Sequence, residues 1–374
     1  MVNKQRIIDE FIELVSVPCP SKDEKQEAEL IMQKLRQLGL EPEMDNVNEK
    51  TGGTCGNVWA YVKGNVPDAP VLFFEAHMDS VAPSTGTRVI RKDGVLYSDG
   101  TTTLGGDDKV GVASMLEAVR ALKEDNVPHG DVQLCFTVSE EIGCLGAMHL
   151  DKRRIKADYG YCLDIGGTPG EIIYAAPKMY DIYVTVKGKA AHAGIAPEEG
   201  INAIMVAAKA LNTIPAYGRL DAETTMNFGT FHAGVGTNIV CPEAKFDIDM
   251  RCMDVDKLEK LKDSTIKHIK EVCEAEGAQV EFEVVEGCPA VSLSKDHECI
   301  KLAQRAAENL GFPVALKTTG GGSDGNYLCG YGLPCGLLAT GMSNVHTTAE
   351  YLKEEDLYNT ARWTYEIIKA AAAK

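Results

Sequence analysis

The chain has 374 residues, 44% of them hydrophobic, which is enough for a large core and lies above the length at which one core usually stops growing. Its net charge of −17, with Lys and Arg thinly spread, excludes nucleic acid and anionic membranes as natural partners and leaves cations as tolerable ones. No stretch reaches the roughly 18 apolar residues of a membrane helix, and the opening "MVNKQRIIDEFIELVSVPCP" carries charges where a signal peptide would be apolar, so a soluble, cytoplasmic protein is expected.

Apolar spacing predicts helices over 3–16 and 23–39, the second opened by a capping-box pattern, Ser21 followed by Glu24. The run "VLFFEA" at 71–76 reads as a strand, followed by a Gly/Thr-rich loop at 98–106 and a helix from Lys109 to about Glu124. Two more apolar strands, "VQLCFTV" at 132–138 and "YGYCLDI" at 159–165, continue an alternation that predicts a layered α/β domain. After Pro177 the pattern changes. "YDIYVTVKG" alternates with period two, "INAIMVAAKALNTI" is helical, "TTMNFGTFHA" and "AKFDIDMRC" are strands, 255–276 is a long helix and "AQVEFEVVE" a last strand. That βαββαβ order is the split βαβ arrangement of a ferredoxin-like sandwich. From Pro289 the chain returns to helix, strand and helix at 296–310, 334–340 and 354–372. The expected organisation is a main α/β domain, a central mixed sheet flanked by helices, built from residues 1–177 and 288–374, with an inserted α+β domain over 178–287. The twelve cysteines include no C-x-x-C pair, and Cys135, Cys162 and Cys335 lie inside apolar runs, so they read as reduced core residues.

Five fragments place ligand-type side chains near the ends of these runs or in adjoining loops. In "FFEAHMDSV" His77 and Asp79 are two apart, so on a strand they leave it on one side, and Asp79 would hold the tautomer of a metal-bound imidazole; an incidental polar pair is the plainer alternative. In "LGGDDKVGVA" Asp107 and Asp108 repel each other just before a helix, which a bound cation would relieve, although helix capping also explains an aspartate there. In "TVSEEIGCLGA" Glu140 and Glu141 sit just past a strand, where one can face a metal and the other the substrate; the alternative is an exposed acidic turn. Asp164 in "YCLDIGG", also explicable as a strand-to-turn aspartate, and His346 in "GMSNVHTTAEY" complete the set. Ligand sites in open α/β sheets lie at the carboxyl ends of strands, where most of these residues fall. Histidines and carboxylates without thiolates suit Zn²⁺, Mn²⁺ or Co²⁺.

The succession "HMDS", "GGDDK", "SEEIG", "DIGG", "AHAG", "GTNIV", "DMR", "GGGSDGN" and "NVHTT" resembles the M20 metallopeptidases over about residues 5–370, most closely the peptidase T-like tripeptidase branch. The resemblance implies two divalent metal ions per chain, usually zinc, with manganese or cobalt as alternatives. His77 and Asp164 would bind one ion, Glu141 and His346 the other, and Asp107 both, across a cis Asp107–Asp108 peptide; Asp79 would orient His77 and Glu140 would be the general base. It implies that the inserted domain is a lid for substrate and for homodimer formation, in which His192, Asn238 and Arg251 bind substrate or stabilise the oxyanion, while Gly322 and Ser323 contact substrate. On the residues alone, Arg251 would instead pair with Asp249 or Asp254, and His192 would be a turn residue. The implied activity is aminopeptidase release of the N-terminal residue from tripeptides. Dipeptidase, N-acyl amino acid deacylase and carboxypeptidase activities belong to the same family. A non-catalytic, metal-stabilised binding protein is the alternative of another class, and the intact Glu140 argues against it, since a binder needs no base.

Overall fold

The four apolar runs expected as strands lie side by side and parallel: Val132–Thr137, Leu72–His77, Tyr159–Ile165 and Cys335–Ala339. Three of them are buried at every residue, which is why they read as continuous hydrophobic runs rather than as alternating ones. In this computed structural model, which describes residues 1–373, they form the middle of a nine-stranded sheet. It continues through Val58–Val62 to Glu43–Met44 on one side and through Glu171–Ala176 to Val291–Ser292 on the other, and Ala315–Thr318, paired parallel to Glu171–Ala176, is the ninth strand. Val58–Val62 and Glu171–Ala176 run antiparallel to their inner neighbours, so the sheet is mixed. The chain divides into two units, and this sheet belongs to the first, Met1–Ala175 with the chain from Val291 onward.

The helix Gly106–Asp125 packs on the strand Leu72–His77 and is covered in turn by Lys4–Val15 and Glu354–Ala371. Enclosed by protein, it is buried from Gly106 to Leu122 at every residue but Arg120, with Val112, Met115, Leu116 and Val119 fully buried. Side chains such as Phe11, Phe74 and Leu116 are removed entirely from water, which contributes about 1.5–3 kcal/mol each. Gly111 marks a close approach between helix and sheet: a Cβ there would meet the Ala76 Cβ at 2.9 Å.

One local expectation gives way to longer-range contacts. Ser21 and Glu24 form no capping box; the helix runs Lys25–Gln37, Ser21 Oγ donates to Asp79 Oδ2 at 2.6 Å, and the buried Glu24 accepts from Ser139 Oγ at 2.8 Å. A half-exposed helix end can use water, whereas a buried carboxylate needs protein donors. The helix expected from Lys109 is present: the element Gly106–Asp125 is kinked at Asp107 and Asp108, which take non-helical conformations, and the regular helix follows them. A small sheet of Ile90–Lys92, Val95–Tyr97 and Tyr351–Lys353 was not expected, because three residues are too few for a period to register.

Glu27 carries a pH dependence of stability. It is fully buried, and among the described residues neither of its carboxylate oxygens has a hydrogen-bond partner. Burial pushes its carboxyl up to about 7, although Lys109 and Lys34 pull the other way. From about pH 4.5 to 7 the native state keeps a proton that the unfolded chain has released, so stability falls as pH rises through that window. Above pH 7 the loss is complete, at about 3 kcal/mol. Glu27→Gln removes the titration. Its melting temperature is expected to exceed that of the wild type at pH 8 and to approach it at pH 5; a constant difference at both pH values would mean that Glu27 does not titrate in this range.

The second unit, Ala176–Ala290, holds a five-stranded antiparallel sheet in the order Gly218–Arg219, Thr224–Ala233, Glu243–Cys252, Lys178–Lys187, Gln279–Glu286. The helices Ala203–Asn212 and Val255–Ala275 cover one face, against Ile182, Val184, Phe246 and Ile248. Strand alternation turns Asp181, Tyr183, Asp247 and Asp249 to the other face. Apart from the two-residue strand Gly218–Arg219, the element order is the βαββαβ of the ferredoxin-like sandwich. Among the described residues no helix is long and apolar enough to cross a membrane. All twelve cysteines are thiols and eleven are buried.

Candidate metal centre

The carboxyl ends of the parallel strands deliver the ligand-type fragments to one place. His77 ends its strand, in register with Thr137. Glu140 and Glu141 follow Thr137 through a turn in which Ser139 takes φ of 55°. Asp164 is the penultimate residue of Tyr159–Ile165, and His346 follows Cys335–Ala339 with φ of 63°. Left-handed backbone at two non-glycine residues is uncommon and concentrates where a site is built. Asp107 comes from the start of Gly106–Asp125, and the Asp107–Asp108 peptide is cis.

His77 Nε2 lies 3.0 Å from Asp107 Oδ1 and 3.8 Å from Asp164 Oδ1. His346 Nε2 lies 3.3 Å from Asp107 Oδ2 and 2.9 Å from Glu141 Oε2. The structure therefore brings together two groups, His77 with Asp107 and Asp164, and Asp107 with Glu141 and His346, each with its ligand atoms within 4.8 Å of one another. Asp107 belongs to both and turns one oxygen to each imidazole. Glu350 holds the loop that carries it, accepting from Gly105 N at 2.8 Å and Asp107 N at 3.0 Å. The sequence offered no signal for Glu350, whose partners lie 245 and 243 residues away.

Electrostatics in this cluster favour added positive charge. Burial, with the nearby charges of Asp107 and Glu140, pushes the Asp164 carboxyl well up, and burial does the same to Asp108. Asp107 goes the other way: burial opposes its ionisation, but hydrogen bonds with His346 and His77 hold it below the usual carboxylate range. Burial resists protonation of His77, yet Asp107 and Asp79 outweigh it and raise the imidazole. Hydrogen bonds with Asp107 and Glu141 raise His346 to about 10. Protons on the imidazoles thus supply the charge that these carboxylates demand, and among the described residues Glu141 Oε1 is still buried without a hydrogen-bond partner. Divalent cations in place of those protons suit the donor set, since they leave the imidazoles neutral and the carboxylates ionised.

Asp79 differs from its expected geometry. His77 Nδ1 is nearer the Asp79 backbone carbonyl, at 3.0 Å, than the carboxylate, at 3.4 Å. The carboxylate instead accepts from the backbone N–H of Glu140 at 3.0 Å and of Glu141 at 3.3 Å, two donors at the start of a turn. Glu140 itself lies beside the two groups. Burial pushes its carboxyl up to about 8, with Glu141, Asp107 and Asp79 adding to the effect against His77. Cys144 Sγ stands 3.3 Å from its Oε1, and Glu140, Cys144 and Asp324 form a third cluster of ligand-type atoms.

The remaining residues singled out in the sequence belong to neither of these two groups. Gly322 is exposed, whereas Ser323 is buried and opens the helix Asp324–Gly330 through a capping box with Asn326, with Ser323 N donating to Asn326 Oδ1 at 3.0 Å. His192, Asn238 and Arg251 all lie in the second unit. There His192 bridges Ile239, and Ala193 N donates to Asn238 O at 3.0 Å, so His192 and Asn238 are neighbours. Arg251 forks onto Asp249 on its own strand, through Nε at 3.0 Å and an Nη at 2.9 Å.

A family model described as peptidase family M20/M25/M40 matches residues 73–370. The uncharacterized protein YqjE of Bacillus subtilis (strain 168) is 38% identical over 372 residues, covering all of both chains. The solved structure of aminopeptidase PepT from Bacillus cereus ATCC 10987 is 39% identical with a TM-score of 0.94, over 99% of each chain. That of a tripeptidase from Staphylococcus aureus subsp. aureus Mu50 is 34% identical with a TM-score of 0.96, over the whole of both.

Proposed function

The chain belongs to the M20/M25/M40 family and is a peptidase of the peptidase T type, and from that premise we propose that it is an aminopeptidase releasing the N-terminal residue of tripeptides at a two-metal centre. The observation that carries this reading is the sharing of Asp107 between two ligand groups, with Glu140 beside them. His77 and Asp164 would hold one ion and Glu141 and His346 the other. The all-nitrogen-and-oxygen donor set favours zinc, with manganese or cobalt as alternatives. When bound, such a pair supplies Lewis acidity, which lowers the pKa of a water and draws charge from a peptide carbonyl.

Glu140 is assigned the proton transfers: it takes a proton from the attacking water and returns it to the leaving amine. Burial raises its carboxyl to about 8, and cations beside it would draw that value back toward neutrality, where a carboxylate can both accept and return a proton. Asp79 steadies the Glu140–Glu141 backbone through its two hydrogen bonds and presents its own carbonyl to His77 Nδ1. By resemblance, His192 donates to the oxyanion, Asn238 and Arg251 hold a substrate carboxylate through charge-assisted bonds, and Gly322 and Ser323 line the substrate. The second unit is by the same resemblance a lid and a homodimer contact, and the protein would act in the cytoplasm.

A substrate panel tests the reading. With added Zn²⁺, Mn²⁺ or Co²⁺, unblocked tripeptides are expected to be cleaved faster than dipeptides, and N-acetyl amino acids not at all. Preference for dipeptides or acylated amino acids would move the assignment to those activities, and inactivity of metal-loaded protein on every class would favour a binding protein. Solution sizing tests the homodimer.

A further inference from the structure

The connection between the helices Lys4–Val15 and Lys25–Gln37 is tied to two segments of the candidate centre. On the His77 side, Ser80 N donates to Cys19 O at 2.9 Å, Cys19 Sγ donates to Met78 O at 3.0 Å, and Ser21 Oγ donates to Asp79 Oδ2 at 2.6 Å. On the Glu140 side, Lys22 N reaches Glu24 Oε1 at 2.7 Å and Ser139 Oγ at 3.1 Å, while Ser139 Oγ donates to Glu24 Oε1 at 2.8 Å. Asp79 closes the circuit, since the carboxylate that takes the Ser21 hydroxyl also takes the backbone N–H of Glu140 and Glu141.

The donor count is consistent. The Ser139 hydroxyl has one proton, given to Glu24, and its lone pair receives Lys22 N. Lys22 and Ser139 are both left-handed, with φ of 73° and 55°, a conformation that non-glycine residues keep only where their surroundings over-determine it. Glu24 and Asp79 are 0% exposed, so water does not compete for these bonds.

We propose that Ser21 and Glu24 are positioning residues for Glu140. They fix the turn Ser139–Glu141 so that adjacent carboxylates face different tasks, Glu141 toward His346 and Glu140 toward the reacting water. The proposal rests on the reading of Glu140 as general base. A turn that loosens by about 1 Å moves the base off its line of proton transfer and costs about 100-fold in rate, while binding contacts stay in place. The spacing of Ser21 and Glu24 is that of a helix cap, yet their side chains serve this turn instead.

The test compares Ser21→Ala with Ser21→Thr and Glu24→Ala with Glu24→Gln, with Glu140→Gln run alongside. It reads kcat, KM, metal content by elemental analysis, and melting temperature. Both alanine variants are expected to lose about 10- to 100-fold in kcat, with KM and metal content near wild type. Ser21→Thr keeps the hydroxyl and Glu24→Gln keeps the acceptor oxygen, so both are expected to recover most of that loss. Ser21→Ala alters a half-buried position and keeps the test open should Glu24→Ala fold poorly. Wild-type kcat in Ser21→Ala overturns the proposal, as does a loss that falls equally on metal content, or a threonine that fails to rescue. An active Glu140→Gln would instead bring down the general-base reading, whereas an inactive Glu140→Gln beside a normal Ser21→Ala brings down the positioning role alone.

Discussion

Glu140→Gln is expected to retain the wild-type metal content while turnover falls by about 100- to 10,000-fold, the range that a positioned general base supplies. Glutamine has the shape of glutamate and cannot accept and return a proton, so the variant separates proton transfer from architecture. The neighbouring geometry supports that separation. Asp79 holds the Glu140 and Glu141 backbone by N–H bonds that the substitution leaves intact, and Glu141 reaches His346 at 2.9 Å independently of Glu140. Elemental analysis and kcat on a tripeptide decide it. Metal loss parallel to the loss of rate would make Glu140 a ligand, and undiminished turnover would place the base elsewhere.

Asp107→Ala is expected to empty both groups of metal. Its Oδ1 faces His77 and its Oδ2 faces His346, so a single truncation takes one donor from each set. A residue that only orients a ligand costs about 10–100-fold in metal affinity when removed, and a shared ligand should cost more at both positions. His346→Ala, by contrast, should lower bound metal at one position only. Thermal unfolding gives a second readout: metal at 100 times its dissociation constant stabilises by about 2.7 kcal/mol, so added Zn²⁺ should raise the wild-type melting temperature and leave that of Asp107→Ala unchanged. Retention of full metal by Asp107→Ala would remove the shared carboxylate from the centre, and the two-metal reading with it.

The parallel strands and the βαββαβ order were legible because burial on two faces leaves continuous apolar runs and burial on one face leaves period two. Glu43–Met44, Ile90–Lys92 and Val291–Ser292 were not, since two or three residues carry no period. The ligand-type residues were visible as chemistry out of place, a histidine or carboxylate where an apolar run ends. Asp79 was recognised, but its closer partnership with the Glu140–Glu141 backbone was not, because strand spacing describes which side a residue leaves from and nothing about a turn 61 residues on.

Composition, periodicity and motif order determined the fold class, the family and the kinds of side chain available, since these depend on neighbours along the chain. Tertiary structure alone decided that Asp107 divides its oxygens between His77 and His346, that Glu350 fixes its loop, and that Ser21 and Glu24 reach Asp79 and Ser139 rather than a helix end. The physical reason is the same in each case: a buried carboxylate takes whichever donors packing brings to it, and those donors come from distant parts of the chain.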